Sequence, residues 1–496
     1  MKAGRRPALT TVVLVLSLLV AGCANGLGAG PAAAGSESEE TGPPTDLVGS
    51  ITLAPSRGLP GTPVTVTGEG LPPAANLTLQ WTTVSGKWVL EGERAEEYHG
   101  RSFDPVTIDL GTARTDATGA LEATFEVPAG VGFGHDVVLV DENGVIRNRA
   151  LFDVEMHVSV SPTEGPVGTP ITIEVHGMGW QTLENTRAVV YDNTYTGWMS
   201  AVTTDGFAQT VIPATGTVGP HRIEVLRGAF TFPYLNPEQS PRPDIPVFEA
   251  MFTVTDGEPV LPASIEEQNW PAREREAASV PSAGTTSITT DMASGPVGTS
   301  LVVSGVGFAP GADVELNWYR IVGNRVSGQG WEEQSVTLGE VTASSDGTFR
   351  VTVEVPGDVG GAHLLEAMVD GKSIASTDFV ITPAAIAITP DSGPWGSEIK
   401  LNLTGVGWTE TANIYTLVYD NSYLGYACGF NSQGDVEVTL KATGEPGWHF
   451  IDLYPAIYKG EESPGQQNFR IPQLTYADDH PGENLPAFHF AFYLEG

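Results

Sequence analysis

The sequence predicts an all-β protein built from four tandem β-sandwich domains that form a duplicated A-B pair. The main observation is a pattern of two glycine clusters around a β-branched run, which begins at Gly58, Gly165, Gly295 and Gly393. Its copies span 14, 16, 14 and 16 residues, so the chain repeats a pair of units rather than a single unit. No amphipathic helical pattern of useful length occurs in any unit.

The repeat spacing sets the size of each unit. It is 107 residues from Gly58 to Gly165 and 98 residues from Gly295 to Gly393. Units of about 100 residues with short alternating strands suit a β-sandwich. The first unit contains seven strand-like runs, with turn signals such as TDATGA and DENGV between them: VTVTG, NLTLQW, KWVLEG, PVTIDLGTA, LEATFEV, DVVLV and RALFDV.

The second copy, GPVGTPITIEVHGMGW, shows what the repeat does physically. GPVGT is a turn, because glycine supplies a positive φ and proline fixes φ near −65°. PITIEV is an alternating strand with Ile171, Ile173 and Val175 facing inward, and we expect Trp180 to cover the end of that core. The pattern resembles the IPT/TIG-type repeats of bacterial surface proteins over most of residues 50–496. That resemblance implies immunoglobulin-like sandwiches and leaves the function open.

The N-terminus resembles that of a bacterial lipoprotein. A basic start is followed by a 13-residue apolar run, Ala8–Val20, and then by LVAGC ending at Cys23. The run is too short to span a bilayer and suits a signal-peptide core. The resemblance implies cleavage before Cys23 and lipidation of that cysteine. We therefore expect an exported protein, lipid-anchored to the cell membrane and facing the extracellular or periplasmic side, with Sec and twin-arginine export both open.

After the signal peptide, the sequence predicts a flexible tether. Between the two A-B pairs it predicts a Pro/Glu/Ala-rich linker, with one helical turn expected near AREREAA. Because of this linker, we expect the two halves to fold and move separately. The predicted boundaries are 1–22 for the signal peptide, 23–49 for the lipidated cysteine and disordered tether, 50–154 for domain A1, 155–255 for domain B1, 256–286 for the linker, 287–382 for domain A2 and 383–496 for domain B2.

The composition argues against nucleic acid as a partner and against a disulfide within the chain. The formal net charge is −36 although only 17% of residues are charged, so nucleic acid is not an expected partner. The two cysteines are Cys23 and Cys428, and a lipidated Cys23 leaves no intramolecular disulfide. We expect Cys428 to be a buried, inert thiol.

Motifs for catalysis are missing from the sequence, including His-Glu-x-x-His and Gly-x-Ser-x-Gly. We therefore expect no enzyme, no catalytic residues and no cofactor. Calcium binding between domains stays open at Asp141-Glu142 or Asp478-Asp479, although solvated acidic turns are the favoured interpretation. A metal site in DDHPGEN with His489 is a weaker alternative.

Four histidines follow glycine turns at the same place in each unit: His135, His221, His363 and His449. Four equivalent positions predict one structural role, such as pairing with a turn carbonyl, rather than metal binding or catalysis.

The B domains carry the most distinctive surface candidates. VVYDNTYTGW in B1 matches LVYDNSYLGY in B2, and both domains have a long aromatic insertion before their last strand. The aromatics either pack beneath the turn or form a platform for sugar or peptide, and the insertions either bind ligand or cover sheet edges. The candidate ligand-binding residues are Tyr191, Asp192, Asn193, Tyr195, Trp198, Tyr419, Asp420, Asn421, Tyr423 and Tyr426.

Together these observations predict a lipid-anchored cell-envelope protein that acts as a non-catalytic binding, adhesion or spacer module. Its expected partners are the membrane, through the anchor, and an envelope polysaccharide or protein. The alternative is a carbohydrate- or peptide-binding protein that uses the aromatic loops of the B domains. An accessory domain array of an envelope enzyme complex is a less favoured alternative.

The lipidation prediction can be tested by replacing Cys23 with Ala. The variant should leave the detergent phase and the membrane fraction, because its only predicted anchor is lost. Cys428→Ala is the matched control and should stay with the membrane. Membrane retention of Cys23→Ala, together with a wild-type protein that carries no acyl mass, would show that the cysteine is not an anchor.

Overall fold

The computed structural model describes residues 43–229, 232–276, 285–324, 330–429, 432–458 and 470–496. Over these residues the chain forms eight β-sheets, two for each of four successive units. In every unit a three-stranded sheet faces a sheet of five or six strands, which confirms the predicted fold class of tandem immunoglobulin-like sandwiches. Cys23 lies outside the described residues.

Domains A1 and B1 share one plan, in which the first and third sandwich strands pair within the small sheet. In A1 the small sheet has the order β1-β3-β6 and the large one β2-β8-β7-β4-β5. The strands of A1 are β1 (Ser50–Ala54), β2 (Arg57–Gly58), β3 (Pro63–Glu69), β4 (Asn76–Glu91), β5 (Glu97–Arg114), β6 (Leu121–Glu126), β7 (Phe133–Asp141) and β8 (Ile146–Val154). Those of B1 are β9 (His157–Ser161), β10 (Glu164–Gly165), β11 (Pro170–His176), β12 (Arg187–Tyr191), β13 (Thr194–Met199), β14 (Ala208–Pro213), β15 (Gly219–Ala229), β16 (Phe232–Pro233) and β17 (Phe248–Val254). A 3-10 turn in B1 covers Pro237–Gln239.

Domains A2 and B2 repeat the plan after the linker of residues 256–286. The linker contains α1 (Ile265–Gln268) and β18 (Arg273–Glu274). The strands of A2 are β19 (Ser287–Thr290), β20 (Met292–Gly295), β21 (Ser300–Val306), β22 (Asp313–Asn324), β23 (Gly330–Thr342), β24 (Phe349–Glu354), β25 (Gly361–Val369) and β26 (Lys372–Ile381). Those of B2 are β27 (Ala384–Thr389), β28 (Ser392–Gly393), β29 (Glu398–Thr404), β30 (Ile414–Tyr419), β31 (Ser422–Cys428), β32 (Val436–Lys441), β33 (Gly447–Ala456) and β34 (Phe488–Leu494).

The glycine repeat forms the turn into the central strand of each small sheet. In B1, Gly168 has a φ of +83°, and the hydroxyl of Thr169 donates a 2.6 Å hydrogen bond to the carbonyl of Pro166. The alternating residues that follow, Ile171, Ile173 and Val175 among them, are fully buried as predicted. The positive φ is the reason for the glycine, because residues with a Cβ are strained there.

Two local predictions are wrong. Met178, not Trp180, fills the end of the B1 core, while Trp180 is partly exposed. In A1 the runs NLTLQW and KWVLEG are one continuous 16-residue strand, β4. Its partner β5 has 18 residues, so the hairpin is much longer than the sandwich strands around it.

The two halves do not form an extended, jointed array, which corrects the prediction of independent halves. The B1 core cluster also contains Val418, Tyr454 and Leu474 of B2. A second cluster joins Tyr98 of A1 and Trp198 of B1 to side chains of the B2 insertion. Cores that cross from one half to the other bury surface that either half alone would expose to water.

The long A1 hairpin, the edge of B1 and the B2 insertion meet at Asp479. This carboxylate is 1% exposed and accepts hydrogen bonds from the indole Nε1 of Trp88 (3.1 Å), the backbone N–H of Val202 (2.8 Å), and both the N–H (2.9 Å) and hydroxyl (2.8 Å) of Thr203. The donors belong to A1 and B1, whereas Asp479 belongs to B2. The buried carboxylate therefore holds three domains together.

The B2 insertion also covers a sheet edge. Trp198 on edge strand β13 donates its N–H to the carbonyl of Pro472 and accepts from the N–H of Leu474, both at 2.8 Å. This is the structural role that the sequence left open for the insertions, since an unpaired edge invites aggregation.

The described part of the linker contacts three domains: the N–H of Val260 donates to the carbonyl of Val167 in B1, α1 lies on B2, and β18 pairs with β20 of A2. Ser264 caps α1 in a capping box with Glu267, which explains why the helical turn is here and not at AREREAA. Gln268 exchanges hydrogen bonds with the backbone of His489, and Asn269 does so with Ala385.

Replacing Asp479 with Asn should destabilise the whole protein. An amide oxygen carries no charge and an NH2 group would face N–H donors, so we expect a loss of about 3 kcal/mol in unfolding free energy. The neighbouring exposed residue supplies the control, because Asp478→Asn removes the same charge outside the junction. Urea unfolding monitored by tryptophan fluorescence would measure both. Equal stabilities for the two variants would show that the junction is not important for stability.

Candidate ligand-binding site

The two Tyr-Asp-Asn turns are tight two-residue hairpin turns. Asp192 and Asn193 have φ values of 47° and 65°, and Asp420 and Asn421 have values of 47° and 61°. Positive φ at both central positions is the type I′ geometry, which Asp and Asn tolerate better than most residues. The motif is therefore explained in part by the turn between β12 and β13 and by its counterpart between β30 and β31.

The turn aspartates bind the repeated histidines. Asp192 accepts from Nδ1 of His221 and Asp420 from Nδ1 of His449, each at 2.5 Å. The second oxygen of Asp420 accepts the N–H of Phe450 at 2.9 Å. These carboxylates are thus occupied by their own domains and are not free to coordinate a ligand's hydroxyl groups with both oxygens.

All four repeated histidines share two contacts, although Nδ1 lies beside a backbone carbonyl in A1 and A2 and beside the turn aspartate in B1 and B2. Nε2 of each lies 2.7–2.9 Å from the carbonyl oxygen four residues earlier, as the sequence predicted for a turn carbonyl. Each ring also stacks on an aromatic ring from the neighbouring strand, with centroids 4.6–5.6 Å apart. The stacking partners are Trp81, Tyr191, Trp318 and Tyr419.

Three of the six candidate aromatic rings pack in the interior: Tyr191 and Trp198 are buried, and Tyr419 is partly buried against the B2 core. Tyr191 is 2% exposed and Trp198 is 1% exposed, so neither ring can receive a ligand on its face. The hydroxyls of Tyr191 and Tyr419 donate to the carbonyls of Thr215 and Thr443, both at 2.9 Å. For Tyr191 and Tyr419 the structure matches the alternative in which the aromatics pack beneath the turn, whereas Trp198 packs between domains.

The remaining candidates differ between the two B domains. Asn193 is exposed, whereas its counterpart Asn421 is fully buried and donates to the carbonyl of Pro213 in B1 at 2.8 Å. Tyr195 and Tyr423 are partly exposed. Only Tyr426 among the ten is an exposed ring, at 44%.

Tyr426 lies under a stacked guanidinium. The Cζ atom of Arg470 is 5.1 Å from its ring centroid and 4.2 Å from that of Tyr458, and the hydroxyl of Tyr423 donates to the Arg470 carbonyl. Arg470 thus covers one face of the most accessible candidate ring. Ligand binding by the ten candidate residues stays a prediction, with Tyr426 as its best-placed member.

A different surface of B2 has the features of a ligand groove. It is an open cavity of about 620 Å³ between the linker and the outer face of the large B2 sheet. The rings of Trp448 and Tyr493 stand on adjacent strands with centroids 5.2 Å apart and an interplanar angle of 64°. Tyr493 is 42% exposed and Trp448 is partly exposed. The polar residues of the groove are Gln268, Asp391, Ser392 and His489.

His489 on the groove wall is paired with a buried carboxylate. Burial alone would lower its pKa, but the hydrogen bond from its Nδ1 to Asp452 (2.7 Å) and the charge of that carboxylate raise the pKa above its ordinary value. Asp452 is 2% exposed. The pair orients the imidazole at the edge of the cavity and favours its protonated form.

Sequence reasoning missed this groove. Trp448 directly precedes the repeated histidine of B2, where B1 has Pro220 before His221. A comparison of the two copies at that position would have revealed an aromatic residue present in one domain only. The linker wall could not have been found in this way.

The structure bears on two further predictions, the acidic metal-site candidates and the burial of the Cys428 thiol. Among the described residues, no group of three or more His, Cys, Asp or Glu side chains could hold a metal ion. Asp141 instead accepts turn N–H groups and pairs with Arg147, while Asp479 is occupied by the junction. Cys428 is exposed, which corrects the prediction of a buried thiol: it ends the edge strand β31, where alternate residues face solvent.

Comparisons with known proteins do not identify a family. No family model and no curated protein matches the chain. Similar solved structures include Salmonella alpha-2-macroglobulin reacted with methylamine, at 12% identity, TM-score 0.19, and coverage of 91% of this chain and 31% of that chain. The ICAM-5 D1-D4 ectodomain fragment matches at 11% identity and TM-score 0.18, with 90% and 99% coverage. A putative membrane anchored protein from Corynebacterium diphtheriae matches at 11% identity and TM-score 0.16, with 67% and 91% coverage.

This chain spans about a third of the length of the alpha-2-macroglobulin chain. At such low TM-scores the overlaps carry no argument, and the fold assignment depends on the sheets described above. Within the described residues, no helix is long and apolar enough to cross a membrane.

The Asp420–His449 pair predicts a pH-dependent stability. Burial opposes the charged imidazole, yet the hydrogen bond and charge of Asp420 raise the pKa of His449 above its ordinary value. A raised folded-state pKa stabilises fully below about pH 6.5, and this contribution is lost as pH rises through the folded pKa. Urea midpoints between pH 6 and 9 should therefore fall in the wild type.

Asp420→Asn is expected to reduce this slope, and His489 should account for much of what remains. Asp478→Asn is the control for the loss of one carboxylate. An unchanged slope in Asp420→Asn would show that His449 does not contribute to the pH dependence.

Proposed function

We propose that the mature protein is a lipid-anchored, non-catalytic binding protein of the cell envelope whose groove in B2 holds a saccharide. The observation that carries the proposal is the pair of accessible rings, Trp448 and Tyr493, beside polar side chains in one open cavity. This keeps the sugar-binding hypothesis but moves it from the Tyr-Asp-Asn turns to the outer face of the same domain.

The chemistry of the groove suits a sugar. Aromatic rings offer flat apolar faces to the C–H side of a pyranose, and hydroxyl groups need a few well-placed polar partners. Asp391 and Ser392 can accept or donate at one side, and His489 can donate at another. A volume of about 620 Å³ falls within the range of roughly 300–1,000 Å³ that is typical of small-ligand sites.

The charge of the chain narrows the class of saccharide. A net charge of −36 repels polyanions, so a neutral or amino-sugar polymer fits better than a phosphate-rich or uronic-acid polymer. The imidazole of His489 is compatible with neutral sugars, since a ring N–H can donate a hydrogen bond to a hydroxyl oxygen.

The path of the chain supports binding over simple spacing. The last residues of segment 23–49, which was predicted to be a disordered tether, are instead bound to A1, where the N–H groups of Asp46 and Val48 donate to the carbonyls of Ile146 and Arg147 at 3.0 and 2.8 Å. A1, B1 and B2 then pack around shared clusters, and A2 shares a smaller cluster with B2, so the domains do not simply extend away from the anchor. A folded-back array reaches less far than a spacer of equal length, but it presents a fixed surface.

The groove is tested by Trp448→Ala and Tyr493→Ala. Each should weaken binding to neutral or amino-sugar envelope polymers by tenfold or more, because truncating an aromatic side chain that dominates a binding site costs about 2 kcal/mol or more. Trp395→Ala is the matched control: this ring is 70% exposed but does not line the cavity. Affinity electrophoresis in polymer gels and a glycan array would supply the measurement.

Three results would overturn the proposal. Equal affinity of Trp448→Ala and Trp395→Ala would place binding elsewhere. Selective binding of peptides would replace the ligand class. Absence of binding to any saccharide by a folded wild-type ectodomain, with melting unchanged, would leave a structural role for the two rings.

A further inference from the structure

Two arginines lie inside the B1 sandwich. Arg187 on β12 and Arg227 on β15 are cross-strand partners, so their side chains lie on the same face of the sheet. That face is the core face, which also carries Val189 and Val225. Arg187 is 0% exposed and Arg227 is 1% exposed. Buried guanidinium groups are costly unless they are fully paired.

The hydrogen bonds of these two arginines are incomplete. Nε of Arg187 reaches only the thioether sulfur of Met156 at 3.1 Å, its Nη1 lies 3.4 Å from the Leu183 carbonyl, and its buried Nη2 has no partner. Arg227 donates to the carbonyls of Arg242 and Ile245, while its buried Nε has no partner. Each arginine of the pair therefore retains an unsatisfied, buried N–H donor.

The two carboxylates near this pair, Glu184 and Asp244, form hydrogen bonds with other residues. Glu184 bonds Arg242 through Oε1 (2.7 Å) and the N–H of Gln181 through Oε2 (3.1 Å). Asp244 is held by Arg242 as well. Three guanidinium groups face two carboxylates, so one positive charge is left without a counter-charge.

The other three domains fill the equivalent position with apolar or aromatic side chains. Counting from the ring that stacks on the repeated histidine, Arg187 corresponds to Leu77 in A1, Val314 in A2 and Tyr415 in B2. All three are buried in their cores. The fold therefore does not require a charge at this position, and the charge in B1 needs its own explanation.

We propose that Arg187 and Arg227 bind a small monovalent anion of the halide class at the end of the B1 core. One anion would accept the orphaned N–H groups and cancel the single excess positive charge. It would also fix the side chain of Arg187, whose Nε contacts Met156 between A1 and B1. We expect this to make the connection between these two domains more rigid. A monovalent ion fits the charge count, whereas a divalent oxyanion would overcompensate it.

The experiment compares thermal unfolding in sodium chloride and in sodium gluconate at equal ionic strength. Any salt screens the large negative charge of this chain, so only the difference between the anions is informative. The wild type should melt at a higher temperature in chloride, with an equal increment for each tenfold rise in chloride above the dissociation constant. Crystals soaked in bromide should show an anomalous peak between the two guanidinium groups.

Arg187→Leu, which copies A1, should lose the chloride dependence. In gluconate it should be at least as stable as the wild type, because an unpaired buried charge has been replaced by an apolar group. Arg149→Leu, an exposed arginine of A1, is the matched control and should keep the dependence.

Equal wild-type melting in the two salts, or a bromide-free site occupied by water, would overturn the proposal. If Arg187→Leu does not fold, the wild-type bromide peak and salt comparison decide the question on their own.

Discussion

The organisation of this protein depends on a buried carboxylate, Asp479. Its charge is stabilised by four donors from Trp88, Val202 and Thr203, which lie in two other domains. Arg101 of A1 lies close enough for its pKa to be influenced by this carboxylate, although burial lowers that pKa overall. Neither half can satisfy the charge alone, so the halves stabilise each other.

This requirement explains the two unusually long elements of the chain. The A1 hairpin must leave its own sandwich to bring Trp88 to the junction, and its close approach to B1 requires glycine at position 86, where a Cβ would lie 2.0 Å from the Val202 carbonyl oxygen. The B2 insertion must cross to B1 to pair with the edge strand at Trp198. Both segments are therefore long because they contact other domains, and not because they form mobile binding loops.

The sequence predicted what local rules control. Alternation identified the buried face of each strand, glycine and proline identified the turns, and the fourfold repeat identified the number of sandwiches. It could not predict what a buried side chain packs against. Trp198 and Asn421 sit in a motif with good turn chemistry, and nothing in that pattern distinguishes a ring under the turn from one between two domains. The groove beside Trp448 was missed for the same reason, because one of its walls is the linker.

The duplicated B domains separate what the fold needs from what each copy does. Both keep the I′ turn, the Asp–His pair and the stacked tyrosine, which stabilise the sandwich in the same way. They differ where the fold makes no demand: B1 has Arg187 where B2 has Tyr415, and B2 has Trp448 where B1 has Pro220.

The first of these differences creates an uncompensated charge in an interior, and the second places an accessible ring on a surface. Both are costly or neutral for stability, because a buried unpaired charge destabilises and an exposed ring gains little from folding. Features that do not stabilise the fold are best explained by interactions with something outside the chain. This is why the B1 core and the B2 groove, rather than the shared turns, are the positions at which this protein is expected to bind other molecules.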